Sequence, residues 1–385
     1  MFRPSTLAIA LLSVVDRGAY ASEADSSSYR PRPYIINVSP SFIEDTRLKA
    51  SLFRPSQDIS TPAWFDGAPT SVIAPLAKYW AEDYDWFKEQ DRINSDFSHF
   101  IIKIPKVSTK YNHSEDLHFI HQRSPRDDAI PLLMLHGWPS TSLEWEKVIP
   151  DLVNPQNESA PAFHVVAPDV PGFGFSLAPT TAPGFDASVY AAVFASLMQQ
   201  LGYSRYALYS TYLGFVVALK MVVEYKAQII NHITDLYTVF ATASDLARYA
   251  ANATTKEETA YITSINAYNN EFSAYARVHS TLPLSIAHAL SNSPVGALAW
   301  IYQLLYQAGD QNDTDTEIIT RTMLLYIPGL YGNIRAYKEL FSVQNYMPDQ
   351  TYTVPTSVLR FGGTTRYPIQ TNLNYVVSSS PSAIA

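Results

Sequence analysis

The stretch YALYSTYLGF, Tyr206 to Phe215, decides how the rest of the chain is read. Its first half is a short apolar run of strand-forming residues, and it leads into the apolar helical text FVVALKMVV. Between the two, Ser210-Thr211-Tyr212-Leu213-Gly214 fits a small-x-nucleophile-x-small pattern, in which a strand turns sharply into a helix and lifts one side chain clear of the sheet. The residue in that seat is Tyr212. An ordinary phenol, with a pKa of about 10, is protonated at neutral pH, and no cation close by in the sequence would lower it. The ring is also longer than a serine or aspartate, so it projects into the space of the reacting atom.

The surrounding text repeats the same rhythm. PLLMLHG, FHVVAPD, YALYST and INHITDLY read as buried strands, with the alternating LHFIHQR before them, and the sheet is expected to begin near Leu117. Helical stretches such as SLEWEKVIPDLV and ASVYAAVFASLMQQLG separate them. Short apolar strands alternating with helices predict a mostly parallel sheet covered on both faces, an α/β fold. From Asp45 to Phe100 the text is helical and aromatic, as expected of helices that wrap a neighbour. After Tyr237 the strands stop for about a hundred residues, filled by YITSINAYNNEFSAYARVH and VGALAWIYQLLYQ, which predicts a helical lid. Strand text returns with TSVLRFGG and NYVVSSS.

Composition narrows the function. The 385 residues suffice for one large α/β domain with insertions, and the net charge of −8 with no basic run excludes nucleic acid and anionic membranes as partners. There is no cysteine, hence no disulfide and no thiolate nucleophile or ligand. The N-terminus carries Arg3, an apolar run from Thr6 to Val15 that is too short to span a bilayer, and Ala19-Tyr20-Ala21, which is signal-peptide grammar. Behind it stand five sequons, at Asn37, Asn112, Asn157, Asn252 and Asn312, so a glycosylated product of the secretory route is expected.

Longer blocks bring a resemblance. RPSQDISTPAWFDGAP, YWAEDYDWFKEQDRIN, LLMLHGWPSTSLEW, FHVVAPDVPGFGFS, SAYARVHSTLPLSIAHALSNSPVGALAWI and NIRAYKELF together resemble the microsomal-type epoxide hydrolases, including their juvenile-hormone-processing relatives, over about Ile36 to Val377. The resemblance implies an α/β-hydrolase fold with a helical lid and an N-terminal wrapping domain. It divides the chain into a signal peptide 1–21, an N-terminal region 22–115, a first part of the core 116–237, a lid 238–345 and last core strands 346–385, where the core looks truncated.

In that family an elbow aspartate attacks the epoxide carbon to give an ester. A histidine with an acidic partner activates the water that hydrolyses it, and two lid tyrosines donate to the epoxide oxygen. Carried over by position, His136-Gly137-Trp138-Pro139 keeps the turn beside the pocket, with Trp138 and Leu213 as the oxyanion-hole residues. Tyr275 and Tyr337 take the places of the lid tyrosines. The nucleophile's place falls on Tyr212, the acid's on Thr364, and the histidine has no counterpart ahead of SSSPSAIA.

The remaining candidates are weaker. Ser210 and Thr211 miss the exposed elbow position, and no histidine partner is expected for them. Of the nine histidines, His118 and His121 lie on a strand, His136 reads as structural and His232 as buried on a strand. His279 follows Tyr275 by four residues, so on a helix it shares that face, and it is the candidate acid or base near neutral pH. Asp235 reads as a satisfied loop acid, Asp169 as structural, and Trp300 as lid packing. The expectation is an epoxide-hydrolase-like protein acting on an apolar small molecule, an epoxide or polyene of natural-product metabolism. Acid-assisted opening, cyclisation or isomerisation would proceed without a covalent ester, and no cofactor is expected. An inactive homologue that binds or carries an apolar ligand is the alternative, and hydrolysis by an unrecognised nucleophile is a second. Homodimerisation stays open.

Overall fold

The computed structural model describes residues 29–179, 183–236, 241–308, 312–341 and 353–359. The signal-peptide segment, Thr364 and NYVVSSS lie outside them. One sheet runs in the order β1-β2-β3-β5-β4-β6-β7-β8, made of β1 Arg32–Pro33, β2 His99–Ile104, β3 Glu115–Gln122, β4 Ile130–Leu135, β5 Phe163–Pro168, β6 Tyr206–Ser210, β7 Ile229–Thr234 and β8 Thr356–Val358. From β5 to β8 every neighbouring pair is parallel, while β1, β2 and β3 join antiparallel at the other edge.

The sheet therefore starts before Leu117, and the helical reading ran a little too far. β2 is a short run whose first residue, His99, is buried because His118 and the Ile93 carbonyl hold its ring. Its pairing with β3, more than any local pattern, makes it a strand.

Period-two alternation splits the central strands between two cores. Leu133, Leu135, Val166 and Leu208 face α5 Ala187–Gln200 and α6 Tyr212–Glu224. Leu132, Met134, Val165 and Ala207 face the other way, against the N-terminal helices α1 Pro40–Ser51, α2 Thr70–Glu82 and α3 Trp86–Asp96. α4 Ile149–Val153 lies between β4 and β5 in sequence. Both faces are thus dry, which is why the central strands are continuously apolar.

Between β7 and β8 come α7 Ala243–Ala250, α8 Lys256–Ala267, α9 Ala274–Thr281, α10 Pro283–Asn292, α11 Pro294–Ala308, α12 Asp315–Tyr326 and α13 Leu330–Leu340. Capping boxes at Thr242, Thr255 and Thr314 start α7, α8 and α12. The N-terminal helices grip this layer, since the Tyr79 and Tyr84 hydroxyls lie 2.7 and 3.0 Å from those of Thr316 and Thr320 on α12. Among the described residues no helix is long and apolar enough to cross a membrane.

Candidate active site

β6 passes into α6 through a strained turn. Tyr212 has φ +40°, a left-handed conformation that costs a residue with a side chain roughly 1–2 kcal/mol. The Thr211 N–H donates to the Leu135 carbonyl at 3.0 Å, locking the end of β4 to the elbow. Two glycines permit the approach. A Cβ on Gly137 would stand 2.6 Å from the Tyr212 Cβ, and one on Gly214 would collide with the Leu135 and His136 carbonyls. The backbone at Tyr212 is therefore that of a nucleophile elbow, and it presents a phenol.

The turn at His136–Pro139 lies against it. The Val170 N–H donates to His136 Nε2 at 2.9 Å, and His136 Nδ1 faces the Gly137 carbonyl at 3.0 Å. Burial lowers the pKa of this ring, so it stays neutral and holds the turn rather than reacting. Leu213 is the second residue of α6, and its N–H belongs to the first-turn donors that lack an intrahelical acceptor. The Gly137 Cβ position is 3.2 Å from that nitrogen, so turn and elbow lie side by side as oxyanion-hole residues would.

Over the elbow the lid supplies tyrosines. The Tyr212 hydroxyl is hydrogen-bonded to that of Tyr275 on α9, and the Tyr268 hydroxyl lies 3.3 Å from both. Tyr337, on α13, is fully buried, with its ring 6.0 Å from that of Tyr275 and 6.5 Å from that of Tyr212. Trp138 stacks on Tyr275 at 5.5 Å and donates its indole N–H to Asn333 Oδ1 at 3.1 Å. The structure brings together Tyr212, Tyr275, Tyr337, Trp138 and His279. Tyr268 is not among the sequence candidates; it stands seven residues before Tyr275, on the π-helical turn Tyr268–Phe272 that precedes α9.

His279 is not the acid or base its spacing promised. Trp300 donates to its Nε2 at 3.0 Å, and burial pushes the imidazole down to about 3. The ring is neutral at physiological pH and its lone pair is engaged.

Behind the elbow is a second polar cluster. Glu144, on the 3-10 turn Ser142–Trp145, accepts from the Thr211 hydroxyl at 3.1 Å and the Gly137 N–H at 3.4 Å. Burial, then the charge of Asp235, pushes its carboxyl up to about 7. Asp235, just beyond β7, is raised to about 6 by burial. Glu144 is thus a positioning residue for both elbow and turn, and the local signal for it was its place in the block that begins with the turn.

Ser210 has the histidine partner that was not expected, with its Oγ 2.7 Å from His232 Nε2. In the register His232 lies opposite Leu208, so it reaches Ser210 diagonally on the same face. Both side chains are sealed in the interior, and the pair ties β6 to β7. Likewise His118 and Asp169 form a buried pair at 2.7 Å, with Asp169 also accepting from the Ser142 and Phe175 N–H groups. Among the described residues no group of three or more histidine, aspartate or glutamate side chains is placed to hold a metal ion.

The sheet order, the strained elbow and the inserted helical layer define an α/β-hydrolase fold. Residues 31–145 match the family described as Epoxide hydrolase N terminus, and residues 130–210 match the alpha/beta hydrolase fold family. Over these segments the chain is similar to epoxide hydrolases. Epoxide hydrolase 1 of Sus scrofa is 28% identical over 356 residues, 84% of this chain and 75% of that protein. An inferred epoxide hydrolase from Stigmatella aurantiaca is 29% identical over 74% of this chain, and the match spans 62% of that protein's length. Among solved structures, that of Aspergillus niger epoxide hydrolase superposes with a TM-score of 0.73 at 24% identity, covering 86% of this chain and 83% of the other.

Proposed function

We propose that this protein accommodates an apolar small molecule under its lid and acts on it without forming an alkyl-enzyme ester. The observation that carries this reading is the phenol at the elbow, hydrogen-bonded to Tyr275 and flanked by Tyr268. No carboxylate stands in the nucleophile's seat, and the hydroxyls of Tyr268 and Tyr275 converge on that of Tyr212. Phenols aimed at one oxygen stabilise developing alkoxide or enolate charge, and orientation supplies the rest of the barrier reduction. The reaction class is acid-assisted epoxide opening with ring closure, or isomerisation. In this scheme Tyr275 and Tyr337 are the donors, and Trp138 and Leu213 line the floor beside Gly137 and Pro139.

One observation favours a second reading, a non-catalytic binder. The Tyr212 hydroxyl takes up the Tyr275 hydroxyl itself, in the position where a substrate oxygen would accept. A single experiment separates the readings from ordinary hydrolysis. Under single-turnover conditions in heavy-oxygen water, with trans-stilbene oxide as probe, no carboxylate of the protein should gain label and no diol should accumulate. Labelled carboxylate or steady diol formation refutes the proposal. Rearranged product identifies an enzyme, and saturable binding without product identifies a binder.

We also propose secretory targeting. Asn37, Asn112, Asn157, Asn252 and Asn312 are all exposed, as glycan acceptors must be. Mass spectrometry of the native protein should find cleavage after Ala21 and glycans on these positions. An intact Met1 terminus with bare asparagines would refute it.

A further inference from the structure

Two buried donors in the lid interface meet no acceptor among the described residues. An indole N–H can only donate, so the bond from Trp300 makes His279 Nε2 an acceptor and places the ring proton of the neutral imidazole on Nδ1. That Nδ1 is buried and without a hydrogen-bond partner. The same logic orients Asn333. Trp138 donates to its Oδ1, so the amide nitrogen is Nδ2, and it too is buried and without a partner. Both residues are wholly inaccessible in the closed interior.

The two donors belong to one place. The Trp138 indole that bonds Asn333 meets the His279 ring edge-on at 4.7 Å, and Tyr337, one turn after Asn333, is 4.8 Å from the same ring. α9 and α13, which carry them, pack against each other. Buried polar groups nearly always find partners, so two unmatched donors around a single indole are unusual. Each offers a neutral N–H, and a carbonyl oxygen with two lone pairs can accept from both. A carboxylate or phosphate would call for a cation, and neither donor is one.

We infer that His279 Nδ1–H and the Asn333 amide recognise a carbonyl oxygen, so the ligand is an apolar ketone or ester rather than a hydrocarbon polyene. This rests on the reading of the lid as a binding site for apolar small molecules. It assigns His279 a recognition role in place of acid–base chemistry, and it separates the carbonyl's contacts from those of the phenols.

A matched pair of probes tests it: chalcone, and 1,3-diphenylpropene, which has the same carbon skeleton without the oxygen. Binding to the full-length protein is measured by equilibrium dialysis. Chalcone should bind at least about tenfold more tightly. His279→Met and Asn333→Leu, checked for folding by circular dichroism, should each erode that preference by weakening chalcone alone. His279→Gln retains an acceptor for Trp300 and a donor for the ligand, so it should keep the preference. Equal, measurable affinity for both probes overturns the carbonyl assignment and leaves the apolar-ligand reading standing. Binding of neither probe removes both. A preference that survives in the methionine and leucine variants assigns the carbonyl to other groups and also refutes the inference.

Discussion

At the scale of single residues, Tyr212 and Gly137 are coupled by contact. The elbow needs φ +40° at Tyr212 and leaves no room for a Cβ on Gly137. Gly137→Ala should therefore cost about 1–3 kcal/mol, the usual range for overpacking a rigid site. Tyr212→Gly removes the opposing Cβ and relaxes the left-handed strain, so in that background the alanine should cost far less. Urea unfolding of the two single variants and the double variant measures the difference as a coupling energy. Strictly additive costs would mean that turn and elbow are not in contact in solution. The same contact explains why a tyrosine fits the seat at all: its Cβ sits where any side chain's would, and only the ring extends beyond it.

At the scale of elements, the lid helices deliver donors to the elbow. α9 carries Tyr275 and His279 one turn apart, and α13 carries Asn333 and Tyr337 at the same spacing. Tyr275→Phe or Tyr337→Phe should leave the fold intact and slow conversion of a reactive ligand by about 10²–10³-fold, the loss typical of one removed oxyanion-type donor. Single-turnover rates on each variant decide this, and parental rates in both would rule out the phenols as donors. His279→Gln should leave the pH profile of conversion unchanged, because burial already keeps this imidazole neutral. The parallel strands, the lid and the elbow were legible in the sequence because each imposes a local period or turn signature. β2 was not, since its strand character comes from pairing with β3. The tyrosine assembly was half legible: Tyr275 and Tyr337 stood in recognisable blocks, whereas Tyr268, Asn333 and Glu144 are defined by what faces them across the fold. The Ser210–His232 bond was missed for the same reason, as it depends on strand register.

At the scale of the whole molecule, buried titratable groups set how stability varies with pH. Burial holds His99, His121 and His232 near 4 and His279 near 3, well below the value of about 6.5 in the unfolded chain. Between about pH 4 and 6.5 the unfolded chain takes up protons that the folded one refuses, so these residues make stability rise with pH. Burial acts oppositely on carboxyls, raising Glu115 and Glu144 to about 7 and Asp235 to about 6. From about pH 4 to 7 the folded chain keeps protons that the unfolded chain has lost, so these groups make stability fall as pH rises. At about pH 6.5 half of the unfolded histidines still hold a proton, so the histidine gain runs on to about pH 7.5, over the same range in which Glu115 and Glu144 lose theirs. The opposing contributions nearly cancel above about pH 6.5, so the melting temperature should climb from about pH 4 to 6.5 and then level off, which thermal unfolding by circular dichroism across that range would detect. Glu144→Gln keeps partners for Thr211 and Gly137 but cannot ionise, so it removes one opposing contribution and should make the climb between about pH 5 and 7.5 steeper. A parental melting temperature that keeps climbing steeply to about pH 8 would show that these carboxyls ionise in the folded state with ordinary ease. An unchanged slope in the glutamine variant would move the effect from the elbow to Glu115 and Asp235.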